Sequence, residues 1–546
     1  MLTQADIQFI VDNEKGDVSR LLLGKAPQGV NLQLCCKCIQ AREKMRIKAP
    51  LWHNNPALVY PFSVSVEQGS SQTTALFKQK IIAELLCGGY LRGNSVDFPR
   101  RMENSGSLSG NVGIFPRGTE NIDSLSGKEG VFPRGTENGS NLSTKEGVFV
   151  DGKENSSSLS IKEGVFVDGK EKCSNLSTKE CHYVDGMGNL SGRGENGSEL
   201  SGREIVTADL TGGMGIDSYF ISKIASKHFY FERNGELCAA TEYNLGQLGA
   251  ENVVLQNRDV TADDCAALRE LEGKGISLLY IDPARRTETG GKAILLQDYE
   301  PNVIELQERM FAVSRYILVK VSPMADIKLN LKHLSKTRAV YVVAVDNECK
   351  ELLFLLDREH NAAACCAEGA VASDANSAAT GNEPNGTEPV IYCADCNSRT
   401  GEIASFELTV SEEDKASASF SNTIGSYLYE PGKAVMKGGA YKLVSQRFNC
   451  GKLAPSTHLY TSDVLLNDFP GKVFSVQEVI PFNKKALKEL AKRYPKADLT
   501  ARNFPLDTNA LKKLSGIKDG GNRHIFAVTL SNGDKVLIIT AYVVYL

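Results

Sequence analysis

The stretch LLYIDPARRTETGG, residues 278–291, places an acid, a proline and two arginines directly after an apolar run. The apolar run predicts a buried strand that ends before Asp282, where a carboxylate is costly unless it has a partner or a task. A carboxylate on a rigid Asp282–Pro283 turn can accept hydrogen bonds from a polar substrate. The planar guanidinium of Arg285 or Arg286 can stack on a base or clamp a phosphate. The alternatives are a helix N-cap for Asp282 and a surface ion pair for Arg286.

A glycine-rich turn precedes this stretch in ADLTGGMGID, where Asp209 ends an apolar strand and Gly213 and Gly215 lead into a helix. Such a turn lets backbone N–H groups approach a ligand closely, at the edge where doubly wound sheets bind nucleotides. Glu232 follows the second strand and Asp259 the third. Together with the acid of the Asp-Pro turn, these acids follow four successive strands, so the pattern predicts that they share one crevice.

Strand and helix patterns alternate across residues 204–360 and predict an α/β domain with a mostly parallel, Rossmann-like sheet between two layers of helices. RAVYVVAV and KELLFLLDR predict an antiparallel pair that closes this domain. Residues 1–95 have the apolar spacing of helices, and residues 404–546 have an α+β pattern with a final hairpin.

Two low-complexity segments interrupt these patterns. Residues 96–203 contain a seventeen-residue unit that repeats from residue 107, as in SLSGKEGVFPRGTENGS and NLSTKEGVFVDGKENSS. Each unit has few large apolar residues, so burial cannot offset the entropy that ordering would cost. We therefore expect a disordered or weakly ordered insert, with a small β-repeat as the alternative. Residues 361–403 form a second polar insert.

Composition narrows the possible partners and the compartment. The chain of 546 residues has a formal net charge of −4, which argues against binding nucleic acid over its whole surface. From residue 484 to residue 524, however, it has eleven Lys and Arg against four Asp and Glu. The sequence contains no signal-peptide pattern and no apolar run long enough to span a membrane, so we expect a cytoplasmic protein without a membrane partner.

The fourteen cysteines are expected to be free thiols in a reducing compartment. The exception to consider is CADC, in which Cys393 and Cys396 have the spacing of zinc ligands. Two further ligands would be needed, and Cys365 with Cys366 could supply them. We expect no metal site.

Two cofactors compete for the glycine-rich turn. NAD calls for a third glycine where Ser218 stands and leaves the Asp-Pro turn unexplained. The order of acids and glycines resembles the class I S-adenosylmethionine-dependent methyltransferases, which have a seven-stranded sheet. The resemblance implies S-adenosylmethionine as cofactor, with its methionine part bordered by Asp209, Gly213 and Gly215, its ribose by Glu232 and its adenine by Asp259.

The resemblance also extends to a segment before the repeats. In these enzymes a helix ahead of the first strand often contacts the methionine part, and EQGSSQTTALFK, residues 67–78, is similar to it. Gln72, Thr73 and Thr74 would then belong to the pocket. A plain N-capped helix is the alternative.

Methyltransferases that act on nucleobase nitrogens carry an Asp/Asn-Pro-Pro-aromatic turn after the fourth strand. By this resemblance the carboxylate of Asp282 and the carbonyl of Pro283 would accept hydrogen bonds from an exocyclic amine. The sequence departs from the motif at Ala284 and at Arg285, which would have to stack in place of the aromatic residue. These departures leave the identity of the base open.

The wider pattern resembles a bacterial methyltransferase family, common among Bacteroidetes, that has a THUMP-like C-terminal domain. The similar stretches include DLTGGMGIDSYF, YIDPARR, YEPGKAVMKGGAYKLVSQRF, HLYTSD, TARNFPL and IKDGG. The resemblance implies a small ferredoxin-like segment at residues 404–447 and a THUMP-like, RNA-binding domain at residues 448–546. The basic residues expected to contact phosphate are Lys484, Lys485, Lys488, Lys492, Arg493, Lys512 and Lys513.

We therefore expect an enzyme that methylates a base of structured RNA, tRNA or rRNA, with no obligate protein partner. One alternative is a methyltransferase for DNA or a small molecule, although a small-molecule enzyme has no use for the basic C-terminal domain. The other is a noncatalytic RNA-binding protein, which would not need the acids at 209, 232 and 282. A solvated helix face is the plain alternative for the basic residues.

Overall fold

The fold was described from a computed structural model. It describes residues 2–86, 204–285, 296–360 and 388–543, together with the backbone of strands between residues 108 and 200. Arg286 and the Cys365–Cys366 pair lie outside the described residues. The chain divides into two units, one of residues 1–283 and 305–317 and the other of residues 284–304 and 318–546.

The N-terminal region is helical, as the sequence predicts. Its helices are α1 (Gln4–Asp12), α2 (Val18–Leu22), α3 (Leu32–Lys48), α4 (Pro50–His53), α5 (Ser63–Gln68) and α6 (Gln72–Leu86). The Thr3 hydroxyl accepts a hydrogen bond from the Asp6 N–H, and the Asp6 side chain accepts one from the Thr3 N–H, which forms a capping box at the start of α1. Trp52, fully buried, packs edge-on against Tyr219 with ring centroids 5.2 Å apart.

The repeat insert contains strands in the structure. They are β1 (Leu108–Gly110), β2 (Gly113–Ile114), β3 (Asn121–Phe132), β4 (Asn138–Val150), β5 (Asn155–Val167), β6 (Lys172–Cys173), β7 (Leu176–Val184), β8 (Leu190–Arg193) and β9 (Glu199–Leu200). Strands β3, β4, β5 and β7 pair in parallel, and Leu125, Leu142, Leu159 and Leu176 stand in register. Each repeat therefore lies beside the next, as in the small β-repeat that was the alternative to a disordered insert.

The α/β alternation appears along the chain after the insert. Its elements are β10 (Val206–Asp209), α7 (Ile216–Ser222), β11 (Lys227–Phe231), α8 (Gly235–Gln247), β12 (Val253–Gln256), α9 (Ala262–Arg269), β13 (Ile276–Ile281), β14 (Ala284–Arg285), a 3-10 turn (Leu296–Asp298), β15 (Tyr299–Glu300), α10 (Val303–Val313), β16 (Tyr316–Val321), α11 (Ile327–His333), β17 (Thr337–Val345), β18 (Glu348–Asp357), β19 (Val390–Cys396) and β20 (Ile403–Leu408).

These strands form a sheet in the order β12-β11-β10-β13-β16-β18-β17-β19-β20. Strand β10 pairs in parallel with β11 and β13, and β11 pairs in parallel with β12. The first five strands thus have the 3-2-1-4-5 order of doubly wound sheets, in which ligands bind beyond the carboxyl ends of the strands. The predicted antiparallel pair is β17 with β18. The predicted α/β fold class is confirmed.

The sheet has nine strands where the resemblance implied seven. The additional strands are β19, parallel to β17, and β20, antiparallel to β19. Strand β19 lies inside the polar insert predicted for residues 361–403, so that prediction extended the insert too far. The reason is physical, because the side chains of Val390–Cys396 are buried or half-buried and its backbone pairs with β17 and β20 on either side.

The C-terminal region is α+β, as predicted. Its elements are α12 (Val410–Lys415), β21 (Tyr427–Pro431), α13 (Lys433–Gly438), α14 (Lys442–Arg447), β22 (Gly451–Lys452), β23 (Tyr460–Ser462), β24 (Gly471–Pro481), α15 (Lys484–Arg493), β25 (Asp498–Arg502), α16 (Thr508–Ser515), β26 (His524–Thr529) and β27 (Lys535–Tyr542). A second sheet has the order β22-β23-β21-β24-β27-β26-β25. Leu487 of α15 and Leu511 of α16 are buried in one core with β25, β26 and β27. Among the helices of the described residues, none has the length and apolar character that crossing a membrane requires.

Candidate functional site

The glycine-rich turn between β10 and α7 needs its glycines for different reasons. A Cβ on Gly212 would lie 1.9 Å from the Tyr230 ring, and one on Gly215 would lie 2.6 Å from Thr241 Cγ2. Because glycine has no Cβ, these two positions allow the Tyr230 and Thr241 side chains to pack directly against the backbone of the turn. Gly213 shares a positive φ with Gly215, at +56° and +73°, but differs in its surroundings, because the nearest atom to its Cβ position is the Thr211 carbonyl oxygen at 3.8 Å. A side chain there would enter open space beside the turn.

The backbone of Gly213 is held from both sides. Its N–H donates to Glu232 Oε2 at 3.0 Å, and its carbonyl accepts from Tyr230 OH at 2.6 Å and from Thr241 Oγ1 at 2.9 Å. The left-handed conformation is thus fixed by hydrogen bonds to β11 and α8. The turn is preorganised, and its open side is the place where a ligand can approach the backbone closely.

Asp209 is buried beneath this turn, with 1 % of its surface exposed. Its Oδ1 accepts from the Thr211 N–H at 3.0 Å, and its Oδ2 accepts from Ser218 Oγ at 2.6 Å. Burial raises the pKa of Asp209 to about 7, and the charges of Asp217 and Asp282 add to the rise, while the two hydrogen bonds oppose it. The carboxylate therefore organises the turn from below.

Two further strand-end acids, Glu232 and Asp259, are half-buried at the same edge of the sheet. Glu232 accepts from the Gly213 N–H through Oε2 and from the Asn234 N–H through Oε1. A carboxylate has about four acceptor positions, so Glu232 keeps capacity for two hydroxyl donors. Asp259 accepts from the Thr261 N–H and hydroxyl through Oδ1 alone. Despite an opposing effect of burial, these bonds and nearby Arg233 lower the pKa of Asp259.

Thr211 is a site residue that the sequence analysis missed. Its N–H donates to Asp209, and its Oγ1 accepts from the Asp282 N–H at 2.6 Å. This single residue therefore connects the glycine-rich turn to the Asp-Pro turn. The signal was present in the sequence, since a threonine in a glycine-rich turn has a hydroxyl that can serve a neighbouring backbone.

The Asp-Pro turn lies directly after β13, where the sequence analysis placed it. Asp282 is half-buried and Pro283 is buried. Arg285 belongs to the short strand β14, and its backbone pairs with Tyr299 of β15. The structure thus gives Arg285 a strand backbone, and the predicted stacking role of its side chain stays a prediction.

The segment before the repeats is a loop followed by α6, as predicted. Ser71 accepts a hydrogen bond from the Thr74 N–H at 3.2 Å, and the Thr74 hydroxyl donates to the Ser71 carbonyl at 3.1 Å. Gln72 accepts from the Leu51 N–H at 2.9 Å, and Thr73 is half-buried. The bonds between Thr74 and Ser71 fit the plain capped helix, whereas Gln72 is bonded to the backbone of α4.

A buried polar cluster, formed by Ser70, Lys78, Asp217 and Tyr280, joins α6 to α7 and β13. Ser70 Oγ and Tyr280 OH donate to Asp217 Oδ2 at 2.6 and 2.7 Å. Lys78 is fully buried, and its Nζ lies 3.2 Å from Asp217 Oδ1 and 3.3 Å from Ser70 Oγ. None of these residues was predicted from the sequence, because a lysine and an aspartate so far apart in sequence carry no pairing signal.

The predicted phosphate contacts fall into two groups. Lys484, Lys485, Lys488 and Lys492 are exposed on α15, and Lys513 is exposed on α16. By contrast, Arg493 Nη2 lies 2.7 Å from Glu478 Oε2, and Lys512 Nζ lies 2.5 Å from Asp519 Oδ1. The acids partly neutralise these two cations, so the exposed lysines are the stronger candidates for phosphate contacts.

Cys393 and Cys396 are buried on β19. Residues three apart on a strand point to opposite faces of a sheet, so this strand does not direct both sulfurs to one ion. Burial also raises the pKa of Cys393 to about 12, which favours the neutral thiol over the thiolate that zinc requires. Within the described ranges, no group of three or more His, Cys, Asp or Glu side chains could hold a metal ion.

Comparisons with known proteins agree with this architecture. A family model described as a ferredoxin-like domain matches residues 427–470, and one described as THUMP domain-like matches residues 471–541. The sequence analysis had placed this boundary earlier, after residue 447. No curated protein matches the chain.

Among solved structures, the chain is similar to a Porphyromonas gingivalis W83 protein named as a candidate methyltransferase. The two share 23% identity at a TM-score of 0.65, over 99% of this chain and 98% of that one. A Streptococcus thermophilus protein named as an rRNA methylase shares 16% identity over 28% of this chain and 88% of its own, at a TM-score of 0.22. A Streptococcus mutans protein in complex with SAH, also named as a candidate methyltransferase, shares 15% identity over 28% of this chain and 89% of its own, at 0.22. TM-scores of 0.22 carry no weight for this chain.

The sheet order and the full-length similarity show that the chain has the fold of the Porphyromonas gingivalis structure. The C-terminal region of the chain consists of a ferredoxin-like domain followed by a THUMP domain-like region.

Proposed function

We propose that this protein transfers the methyl group of S-adenosylmethionine to a base of structured RNA. The observation that carries the proposal is the connection through Thr211, which joins the organised glycine-rich turn to the Asp282–Pro283 turn by hydrogen bonds of 3.0 and 2.6 Å. A methyl donor on the first turn and an acceptor amine on the second would thereby be held in a fixed relation.

The residues present fit S-adenosylmethionine. The open space at the Gly213 Cβ position allows a ligand to approach the backbone, and Glu232 retains acceptor capacity for a ribose. NAD fits less well, because the position of its third glycine holds Ser218, whose hydroxyl is bonded to Asp209. Methionine groups would lie near Gly213 and Gly215, and adenine near Asp259.

When bound, S-adenosylmethionine supplies an electrophilic methyl group, so the protein mainly has to align a nucleophile and exclude water. The Asp282 carboxylate would accept a hydrogen bond from the amine of the base and stabilise the positive charge that develops there. Thr211 fixes the Asp282 backbone, and buried Pro283 restricts the turn. Arg285 would stack on the base, which a planar guanidinium can do.

The RNA substrate is inferred from the C-terminal region. Lys484, Lys488 and Lys492 are exposed and four residues apart on α15, so they lie on one face about 6 Å apart along the helix axis. A row of cations in a THUMP domain-like region suits a phosphate backbone. A target base inside a helix would have to be flipped out to reach the Asp-Pro turn.

Calorimetry on the full chain tests the cofactor assignment. We expect S-adenosylhomocysteine to bind, Asp282→Ala to retain this binding, and NAD to bind far more weakly. Tight binding of NAD without binding of S-adenosylhomocysteine would refute the proposal.

A further inference from the structure

Lys78 is fully buried, and its charge is neutralised by an acid from a distant part of the sequence. It lies on α6, before the repeat insert, whereas Asp217 lies on α7, after it. A buried ammonium is costly without a counter-charge and hydrogen bonds. Asp217 and Ser70 supply them at 3.2 and 3.3 Å.

Asp217 in turn acts on the acid beneath the glycine-rich turn. It precedes Ser218, whose hydroxyl donates to Asp209 Oδ2 at 2.6 Å. The negative charge of Asp217 is one cause, after burial, that raises the pKa of Asp209 to about 7. The two carboxylates are therefore electrostatically coupled, and whatever neutralises Asp217 favours ionisation of Asp209.

We propose that Lys78 is a positioning residue for the cofactor: its ammonium neutralises Asp217 and thereby holds Asp209 in the carboxylate form that organises the glycine-rich turn. The ionised carboxylate accepts from both the Thr211 N–H and the Ser218 hydroxyl. A proton on Oδ2 would reverse the hydrogen bond, so that Oδ2 donates to Ser218 Oγ, and the neutral carboxyl group would be a weaker acceptor for the Thr211 N–H. This inference rests on the proposed function, since it concerns the same cofactor pocket.

Asp282, Tyr230 and Tyr280 are the other titratable groups near Asp209 and Asp217. Asp282, after β13, also raises the pKa of Asp209. Tyr230 of β11 is neutral, because burial raises its pKa far above the ordinary value, with Glu232 and Asp209 adding to the rise. Tyr280 of β13 contacts Asp217 as a hydroxyl donor. Of the polar groups contacting Asp217 in the buried cluster, Lys78 is the cation.

The test is the pH dependence of S-adenosylhomocysteine binding to the full chain, measured by calorimetry from pH 5.5 to 9. For the wild type, we expect affinity to fall as pH decreases through about 7, because Asp209 then takes up a proton. In Lys78→Met, we expect the midpoint to rise by on the order of one pH unit, since Asp217 is no longer neutralised. Lys78→Arg keeps the charge and should leave the midpoint near that of the wild type.

The Asp217→Asn substitution distinguishes an electrostatic effect of Lys78 on Asp209 from an effect of Lys78 on the stability of the fold. Combined with Lys78→Met it removes both charges, so the midpoint should return towards the wild-type value. On its own it leaves the lysine unneutralised and should lower the midpoint. If Lys78→Met does not fold, the affinity midpoints of Asp217→Asn and of the double variant are compared instead. They should differ by about one pH unit, which measures the effect of the Lys78 charge on Asp209.

Equal midpoints in all variants, with affinity reduced by a constant factor, would show that Lys78 only stabilises the fold and would overturn the inference. Binding by the wild type without any pH dependence would also overturn it, while leaving the proposed function intact. If the wild type binds no S-adenosylhomocysteine at any pH, the proposed function fails and the inference fails with it.

Discussion

Gly213→Ala should weaken cofactor binding as well as lower stability, whereas the same substitution at a glycine of similar conformation outside the pocket should lower stability alone. The residue has a φ of +56°, a conformation that costs a residue with a Cβ roughly 1–2 kcal/mol. The added methyl group meets no protein atom closer than 3.8 Å, so it causes no clash within the fold. It would instead occupy space that we assign to the methionine part of S-adenosylmethionine. Crowding by one methyl group costs about 1–3 kcal/mol, which corresponds to a loss of about 5- to 150-fold in affinity.

Gly249→Ala is the matched control. Gly249 is exposed after α8, has a φ of +68°, and its Cβ position has no neighbouring atom within 4 Å. The backbone cost should be the same, so both variants should lower the thermal midpoint by a few degrees. Calorimetry with S-adenosylhomocysteine should show weakened binding for Gly213→Ala and wild-type binding for Gly249→Ala. Equal affinities of the two variants would refute the placement of the cofactor beside Gly213.

Further substitutions separate the roles of the individual side chains. Asp282→Ala should abolish methyl transfer in a tritium-release assay while cofactor affinity stays within a few-fold of wild type, and equal loss of both would contradict its assigned role. Thr211→Val leaves the Asp282 N–H without its acceptor, which should lower stability by about 1–3 kcal/mol. Because the Asp282–Pro283 turn is then less firmly held, kcat should also fall while cofactor affinity changes little, whereas Thr211→Ser should stay near wild type. The pKa of Asp209 is raised to about 7, so the stability that this group contributes is present at low pH and is lost as pH rises from about 4 to 7. The thermal midpoint of Asp209→Asn, measured relative to that of the wild type, should therefore increase from pH 5 to pH 8. A difference that stays constant with pH would contradict the raised pKa. Lys488→Ala should weaken RNA binding and reduce the slope of log affinity against log salt by about 1. Arg493→Ala should reduce the slope less, because the Arg493 side chain is paired with Glu478. Equal slopes for both variants would contradict the proposed phosphate contacts.

The sequence was sufficient to predict the parallel sheet, because apolar strands and amphipathic helices alternate at regular intervals. It was also sufficient to predict that the acids follow parallel strands, whose carboxyl ends share one edge. What it could not predict is the task of each acid. The carboxylate of Asp209 lies beneath the turn, where Oδ1 accepts from the Thr211 N–H and Oδ2 from the Ser218 hydroxyl, and its expected contact with the cofactor stays a prediction.

Contacts between distant segments were the second feature beyond reach of the sequence. The similarity of residues 67–78 to a cofactor segment pointed to α6, yet the residues that join it to the pocket region are Ser70 and Lys78. Their partner, Asp217, follows the long insert, and one sequence contains no signal for pairing across it. Strand β19 was missed for a different reason, since its short alternating pattern adjoins a polar segment and resembles a continuation of it.

The most direct test of the account is methyl transfer itself. RNA isolated from cells that lack the gene should be incubated with the purified full chain and S-adenosylmethionine, digested to nucleosides and analysed by mass spectrometry. The account predicts that one methylated base appears, and that it is absent with Asp282→Ala. No methylated nucleoside in RNA from such cells, together with methylation of a DNA or small-molecule acceptor, would contradict it.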